Sequence, residues 1–159
     1  MIRAVTEADV DGVVEFSLRA WAPVFESFRG VLGDEIYRRV YPDWRVSQAR
    51  DVAGICRGHL DTTWVAEVGG RVVGFVVVIL DREAFSGEIE MLAVDPEYQR
   101  QGIAAALMEH AFVQMRVAGV RVAAVGTGGD PGHAPARRAY ESAGFRPLPL
   151  VRYYKQLDP

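Results

Sequence analysis

A polar turn with one glycine, over residues 94–104, separates a strand-like run from a helix-like run. The first N–H groups of a helix have no partner inside it, and the helix dipole is positive at that end. A phosphate finds ready donors there, and Gly102 lets it come close. The alternative is an ordinary strand-to-helix turn, because Gln99-x-x-Gly102-x-Ala104 is a weak pattern alone. The phosphate-loop signature of nucleoside triphosphatases and the glycine signature of dinucleotide enzymes are both absent.

The elements around this turn follow clear periodic patterns. Two β-rich runs, residues 63–68 and 71–80, flank Gly69-Gly70, which predicts an antiparallel hairpin with a primed turn. A strand over residues 89–94, an amphipathic helix over 100–118 and a strand over 120–125 follow. A glycine-rich loop then leads into a last helix that begins near Pro135 and ends near Gly144.

The two ends of the chain give weaker patterns. A short strand over residues 2–5 precedes a Thr-x-x-Asp helix start, which predicts a helix to about Ala20. Prolines and glycines interrupt residues 21–46, so short helical pieces and turns are expected there. An amphipathic helix follows over residues 47–59, and residues 150–157 predict a closing strand. This order predicts an α/β (α+β) fold with a mixed sheet covered by helices.

Composition limits the classes of function. The chain has 159 residues, half of them hydrophobic, which suits one domain over residues 1–159. It shows neither a membrane-spanning run nor a signal-peptide pattern, so a cytoplasmic location without membrane association is expected. One cysteine agrees with a reducing compartment. A net charge of −3 offers no basic face for nucleic acid, which is not expected as a partner.

Two segments resemble the GCN5-related N-acetyltransferase (GNAT) family. Gln99, Gly102 and Ala104 match its motif Gln/Arg-x-x-Gly-x-Gly/Ala, which follows a Val-x-Pro strand end. Residues 133–145 match a second motif, Asn-x-x-Ala-x-x-x-Tyr-x-x-x-Gly-Phe, with His133 in place of asparagine. The order of elements also agrees from about residue 2 to residue 157. The resemblance implies a mixed, mostly antiparallel sheet with helices on both faces and splayed central strands that hold acyl-CoA.

The resemblance also implies acetyl-CoA as co-substrate and an amine as acceptor. The pantetheine arm would pass between the strands over residues 89–94 and 120–125. His133 could hydrogen-bond that arm, and Arg137 could approach a phosphate or stay solvated. The residues implied in backbone contact with the arm are Leu92, Ala93 and Val94. Those implied at the pyrophosphate are Gln99, Arg100, Gln101, Gly102, Ile103 and Ala104.

Acetyl transfer to an amine needs a base and an acid. An amine with a pKa near 10 is protonated at neutral pH, and a base must expose its lone pair. Glu88 and Glu90 lie two apart on a predicted strand and share a face, which is either the cleft face or the solvent face. The resemblance favours Glu88 slightly, while Asp130 is a weaker substitute. Tyr140 is implied as the acid that protonates the leaving thiolate, the alternative being a packing role.

The acceptor is left open between a polyamine or aminoglycoside-like molecule, an amino acid and a protein amine. Aromatic and acidic residues within 21–46 could line a pocket for a cationic amine or could only pack the helical arm onto the sheet. A homodimer is also left open.

Other chemistries and functions have less support in the sequence. Cys56 and His59, three apart on a predicted helix, would permit an acyl-cysteine route, but Cys56 falls on the apolar face. The histidines lack metal-ligand spacing, so no metal is expected. The main alternative function is a non-catalytic acetyl-CoA sensor or docking module, and an interaction protein without a cofactor has the least support.

Overall fold

Five strands and five helices make up the chain, described from Met1 to Pro159 in a computed structural model. The strands are β1 (Ile2–Ala4), β2 (Thr63–Val68), β3 (Arg71–Asp81), β4 (Ser86–Val94) and β5 (Val122–Val125). The helices are α1 (Val10–Leu32), α2 (Asp34–Val40), α3 (Trp44–Gly58), α4 (Ile103–Val117) and α5 (Ala134–Ser142). None of the helices combines the length and the apolar character needed to cross a lipid bilayer.

The strands form one mixed sheet in the order β1-β2-β3-β4-β5. All neighbours are antiparallel except β4 and β5, which run parallel. The predicted hairpin is confirmed: Gly69 (φ 57°) and Gly70 (φ 78°) form the turn between β2 and β3. Positive φ at both positions is what a primed turn requires, and glycine adopts it without steric cost.

Each face of the sheet is covered by helices. Alternate residues of β3 point to opposite faces, so Phe75 and Val77 join a core with α1 and α3, whereas Val76 and Val78 join a second core with α4. Leu107 on α4 is fully buried in the second core, which α5 completes through contacts of Tyr140. The mixed sheet with helices on both faces therefore agrees with the fold predicted from the sequence.

Leu107→Ala is expected to lower the free energy of unfolding by about 3 kcal/mol, because it removes buried methyl groups and leaves a cavity. Chemical denaturation monitored by circular dichroism measures this. Val117→Ala, on the same helix but 81% exposed, is the control and should change stability by less than about 0.5 kcal/mol. Equal effects of the two changes would contradict this account of the core.

The predicted end of the first helix near Ala20 is wrong, because α1 continues through Pro23 to Leu32. Proline inside a helix removes one hydrogen bond and costs roughly 3 kcal/mol. Burial of Val24 and Phe25 offsets this cost: Phe25 stacks on Trp44 of α3 with 4.2 Å between ring centroids. The predicted short helical piece and turns exist only after Leu32, as α2 and the turn that precedes α3.

The predicted closing strand over residues 150–157 is also wrong, because this segment has no regular secondary structure. It does not pair with the open edge of β5, which has β4 as its only neighbour. Instead, Asp158 accepts a 2.5 Å hydrogen bond from Arg39 of α2. Leu150 and Tyr153 are more than 80% exposed. A strand needs a partner edge, and the tail pairs with none.

Candidate functional site

A gap opens in the sheet where β4 and β5 separate. Their parallel pairing runs from Ser86 and Val122 to Ile89 and Val125, and then stops. Glu90 comes next and is bulged, since Val77 and Val78 pair with Met91 and Ile89 and leave it without a partner. Beyond it, β4 pairs only with β3, while the chain after Val125 leaves the sheet. The bulge lies at the point where the gap begins.

A cleft of about 820 Å³ follows this gap between α1, β4, α4 and α5. The volume lies within the range typical of small-molecule sites. Most of the side chains singled out from the sequence line it: Glu90, Leu92, Ala93, Val94, Gln99, Arg100, Gly102, Ile103, Ala104, His133 and Tyr140. Glu88, Gln101 and Arg137 do not. Trp21, Pro23 and Val24 of α1 form a wall that the sequence did not indicate.

One end of the cleft is rich in free backbone donors. The N–H groups of residues 99–105 make no hydrogen bond within the protein, because α4 begins only at Ile103. Left-handed backbone at Arg100 (φ 62°) and Gly102 (φ 81°) shapes this turn. The Gln99 side chain donates to the carbonyl of Val94 at 3.0 Å and ties the turn to β4. This end can therefore bind an anion through preorganised donors.

Asp95 anchors the start of that turn. Its carboxylate is fully buried and accepts hydrogen bonds from Arg19 at 2.9 Å and Arg71 at 3.2 Å. It also accepts from the backbone N–H of Glu97 at 3.2 Å. These contacts join α1, β3 and the turn, so the hydrogen bonds of one buried carboxylate hold the free donors in place.

Tyr140 lies in the wall of the cleft on α5. Its ring packs edge-on against Phe145, and its hydroxyl has no hydrogen-bond partner in the protein. Burial raises the pKa of the Tyr140 phenol, because the ionised form is poorly solvated there. The hydroxyl therefore stays protonated at neutral pH and can donate to a group in the cleft.

The two glutamates of β4 differ in position. Both are exposed, but only Glu90 lines the cleft. Glu88 lies opposite Ala124 on β5, near Gly126. The bulge at Glu90 separates their environments, and no pattern along the strand could have revealed it.

A second polar group, made of Ser27, Asp130 and His133, lies where α1 meets the loop before α5. His133 Nδ1 is 2.5 Å from Asp130 Oδ1, and Ser27 Oγ donates to Asp130 Oδ2 at 2.6 Å. Arg137 donates to the carbonyls of Gly128 and Asp130 at 2.6 and 2.7 Å, so its guanidinium holds the loop and does not face the cleft. Sequence reasoning missed Ser27 and undervalued Asp130. The three-residue spacing of Asp130 and His133 was the only local signal.

The aromatic residues of segment 21–46 mostly contact one another. Phe28 stacks on Tyr41 with 5.4 Å between ring centroids, Trp44 is buried, and only Trp21 lines the cleft. The acids of this segment include Asp34 and Glu35, which pair with arginines on the surface. Of the two interpretations of this segment, the structure favours packing.

Cys56 is unsuited to an acyl-cysteine route. It is fully buried in the core between α1 and α3, away from the cleft, and burial raises the pKa of its thiol to about 11. The thiolate is the nucleophile and is scarce at neutral pH under these conditions. No group of three or more histidine, cysteine or carboxylate side chains is placed to hold a metal ion.

Comparison with known families agrees with this architecture. Residues 26–145 match the acetyltransferase (GNAT) family. The chain belongs to that family. An uncharacterized N-acetyltransferase of Archaeoglobus fulgidus is 32% identical over 152 residues, covering 89% of this chain and 92% of that protein. Both motifs noted in the sequence lie entirely inside the matched range.

More specific relatives cover less of the chain or share less sequence. The [ribosomal protein bS18]-alanine N-acetyltransferase of Escherichia coli is 35% identical over 92 residues, and the match spans 56% of this chain and 58% of that enzyme. A PaiA N-acetyltransferase of Thermoplasma acidophilum, solved with coenzyme A, superposes with a TM-score of 0.68 at 18% identity. The superposition covers 92% of this chain and 89% of the other, and shows a common GNAT fold.

Proposed function

We propose that this GNAT protein is an N-acetyltransferase that moves an acetyl group from acetyl-CoA to a primary amine by direct attack. The observation that carries the proposal is the continuous cleft that joins the free N–H groups of residues 99–105 to the Tyr140 hydroxyl. An elongated ligand with a phosphate at one end and a reacting group at the other fits such a site.

Acetyl-CoA would be held along the cleft by backbone groups. The turn over residues 99–104 would receive the pyrophosphate. Its N–H groups are free of hydrogen bonds and lie at the N-terminus of α4, where the helix dipole is positive. Residues 92–94 lie on the side of β4 that β5 leaves unpaired, so their backbone would contact the pantetheine arm. Bound there, acetyl-CoA supplies an activated thioester.

The Tyr140 hydroxyl would protonate the leaving thiolate. It is protonated at neutral pH, is free of other hydrogen bonds and faces the cleft. A thiol with an ordinary pKa of about 8.5 leaves more readily when an acid donates to the sulfur.

Glu90 would be the carboxylate that faces the acceptor. It lines the cleft at the bulge, where its charge attracts an ammonium ion and can accept a proton, whereas Glu88 lies outside the lining. Glu90→Gln is expected to lower kcat/KM for an amine about tenfold, measured by thiol release. Glu88→Gln is the matched control on the same strand and should change it less than twofold. The reverse pattern would make Glu88 the functional residue.

The acceptor to test first is a protein α-amine. The relative that acts on bS18 alanine supports this choice by its 35% identity, although the matched region spans only 58% of that enzyme. Spermidine, an aminoglycoside and free amino acids complete the panel, since packing of the aromatic cluster leaves no cation cage in segment 21–46 to favour one of them.

Calorimetric titration with acetyl-CoA, followed by thiol-release assays over this amine panel, tests the proposal. Micromolar binding with turnover on at least one amine is expected. Binding without turnover on any amine would favour the sensor function instead. Failure to bind acetyl-CoA would reject both functions.

A further inference from the structure

The polar group in the α1-facing wall consists of Ser27, Asp130 and His133, which come from two distant parts of the chain. Ser27 Oγ donates to Asp130 Oδ2 at 2.6 Å and accepts from the backbone N–H of Gly132 at 2.9 Å. Asp130 Oδ1 contacts His133 Nδ1 at 2.5 Å. Both side chains of the Asp–His pair are largely buried, with 10% and 16% exposure. We call these three residues the relay.

The charge on Asp130 determines the tautomer of His133. Burial opposes ionisation of Asp130, but hydrogen bonds from Ser27 and His133 outweigh it and lower the pKa of the carboxyl below its usual value. An ionised carboxylate can only accept hydrogen bonds, so His133 must donate through Nδ1–H. In the neutral ring, Nε2 then carries a lone pair. That atom has no partner in the protein and is not sealed from solvent, while His133 lines the cleft.

The loop backbone at Gly128 and Gly132 lies close to the side chains of the relay and keeps them in place. A Cβ on Gly128 would lie 2.5 Å from His133 Nδ1 and closer still to Asp130. A Cβ on Gly132 would lie 2.6 Å from Ser27 Cβ. On its other side, the His133 ring packs against Phe28, with 5.5 Å between centroids. A glycine at both loop positions is therefore required for the imidazole to reach its carboxylate.

His133 and Tyr140, the proposed acid, lie in the same region of the chain and line the same cleft. His133 is the residue immediately before α5, and Tyr140 lies within that helix, seven residues later. Both line the cleft, and α1 closes the side next to His133. Arg137 bonds to the carbonyls of the same loop, and the other charged residues that line the cleft are Glu90, Arg100 and Arg138.

We propose that His133, oriented by Asp130 and Ser27, is the general base that takes the proton from the acceptor amine; this inference rests on the proposed acetyltransferase function. His133 Nε2 accepts a proton from the amine nitrogen as that nitrogen bonds to the acetyl carbon. The carbon–sulfur bond breaks, and Tyr140 gives its proton to the sulfur. Solvent then returns one proton from His133 to Tyr140, and an acceptor that arrives as an ammonium ion first releases one proton to water. Glu90 keeps the role of counter-charge.

Thiol release at pH 7 tests this assignment, with an alanine-initiated peptide as acceptor and with water in slow acetyl-CoA hydrolysis as an acceptor-free readout. His133→Gln should lose about 100-fold in rate in both assays, with acetyl-CoA affinity changed less than threefold. Glu90→Gln should leave the rate of hydrolysis within about threefold of the wild type, because water carries no charge for a carboxylate to attract. Added imidazole should partly restore His133→Ala.

Two further variants test whether His133 acts as a base or only supports the loop. Asp130→Asn should lower kcat about tenfold or more, because an amide can donate to Nδ1 and leave Nε2 protonated. Gly128→Ala should reproduce the His133→Gln defect, whereas Gly129→Ala, whose Cβ would meet nothing within 4 Å, should behave as wild type.

An unchanged rate of thiol release in His133→Gln, or a tenfold loss of acetyl-CoA affinity with kcat unchanged, would overturn the inference and leave the proposed function intact. The second result would make His133 a ligand of the pantetheine arm, as the family motif implies. Absence of thiol release with every amine and with water would overturn the proposed function, and this inference with it.

Discussion

Replacing Tyr140 with phenylalanine is expected to lower kcat about 100-fold, with acetyl-CoA affinity changed less than about threefold. The substitution removes one hydroxyl and keeps the ring, so the edge contact with Phe145 and the packing of α5 on the sheet are retained. A positioned acid typically contributes 100-fold or more to the rate. The loss should therefore be in kcat, because the hydroxyl matters when the thiolate leaves and not when the coenzyme binds.

Thiol-release kinetics and calorimetry on the same preparations measure the two quantities. Tyr153→Phe is the matched control, since Tyr153 is 88% exposed in the tail and makes no contact with the cleft. It should keep wild-type values. A Tyr140→Phe enzyme that retains full kcat would show that solvent protonates the thiolate, and Tyr140 would then be a packing residue.

Replacing Gly102 with alanine is expected to weaken acetyl-CoA binding at least about tenfold. Gly102 precedes the first residue of α4 with φ of 81°, a left-handed conformation that costs other residues roughly 1–2 kcal/mol. An added Cβ would meet no protein atom within 4 Å, so it would project into the open end of the cleft where an anion must approach the free N–H groups. Steric exclusion and backbone strain therefore act together on binding.

Gly119 provides a control for the strain alone. It follows the other end of α4 with φ of 82°, and an added Cβ would come no closer than 3.6 Å to Phe85. Gly119→Ala should destabilise the protein by a similar amount and leave the acetyl-CoA dissociation constant within about twofold. If the two variants lose affinity equally, the effect is one of stability, and the phosphate assignment of this turn would be wrong.

Several elements of the fold could be predicted from short stretches of sequence. Gly69-Gly70 was sufficient for the hairpin, because a primed turn depends on φ values that those two residues adopt easily. Helix α4 was predicted within a few residues at its start, since its apolar residues recur at helical spacing. The Gln99-to-Ala104 turn was identified, although the helix was predicted to begin at residue 100 and begins at Ile103, directly after Gly102.

The errors share one cause, which is reliance on local signals where distant contacts decide. Pro23 indicated a break, but packing of Phe25 on Trp44 keeps α1 intact. The β-rich tail indicated a strand, but it is largely exposed, is joined to α2 by the pair of Asp158 and Arg39, and does not pair with β5. Local propensity is a weak guide whenever packing or a missing partner edge outweighs it.

The sequence by itself determined the family resemblance, the order of most elements and the position of the turn over residues 99–104, because these depend on residues close together along the chain. Only the tertiary structure decided which glutamate lines the cleft, where β4 and β5 separate, and that Ser27 meets Asp130 across 103 positions. Such contacts depend on how α1 packs over the sheet, and no spacing within a single segment encodes that geometry.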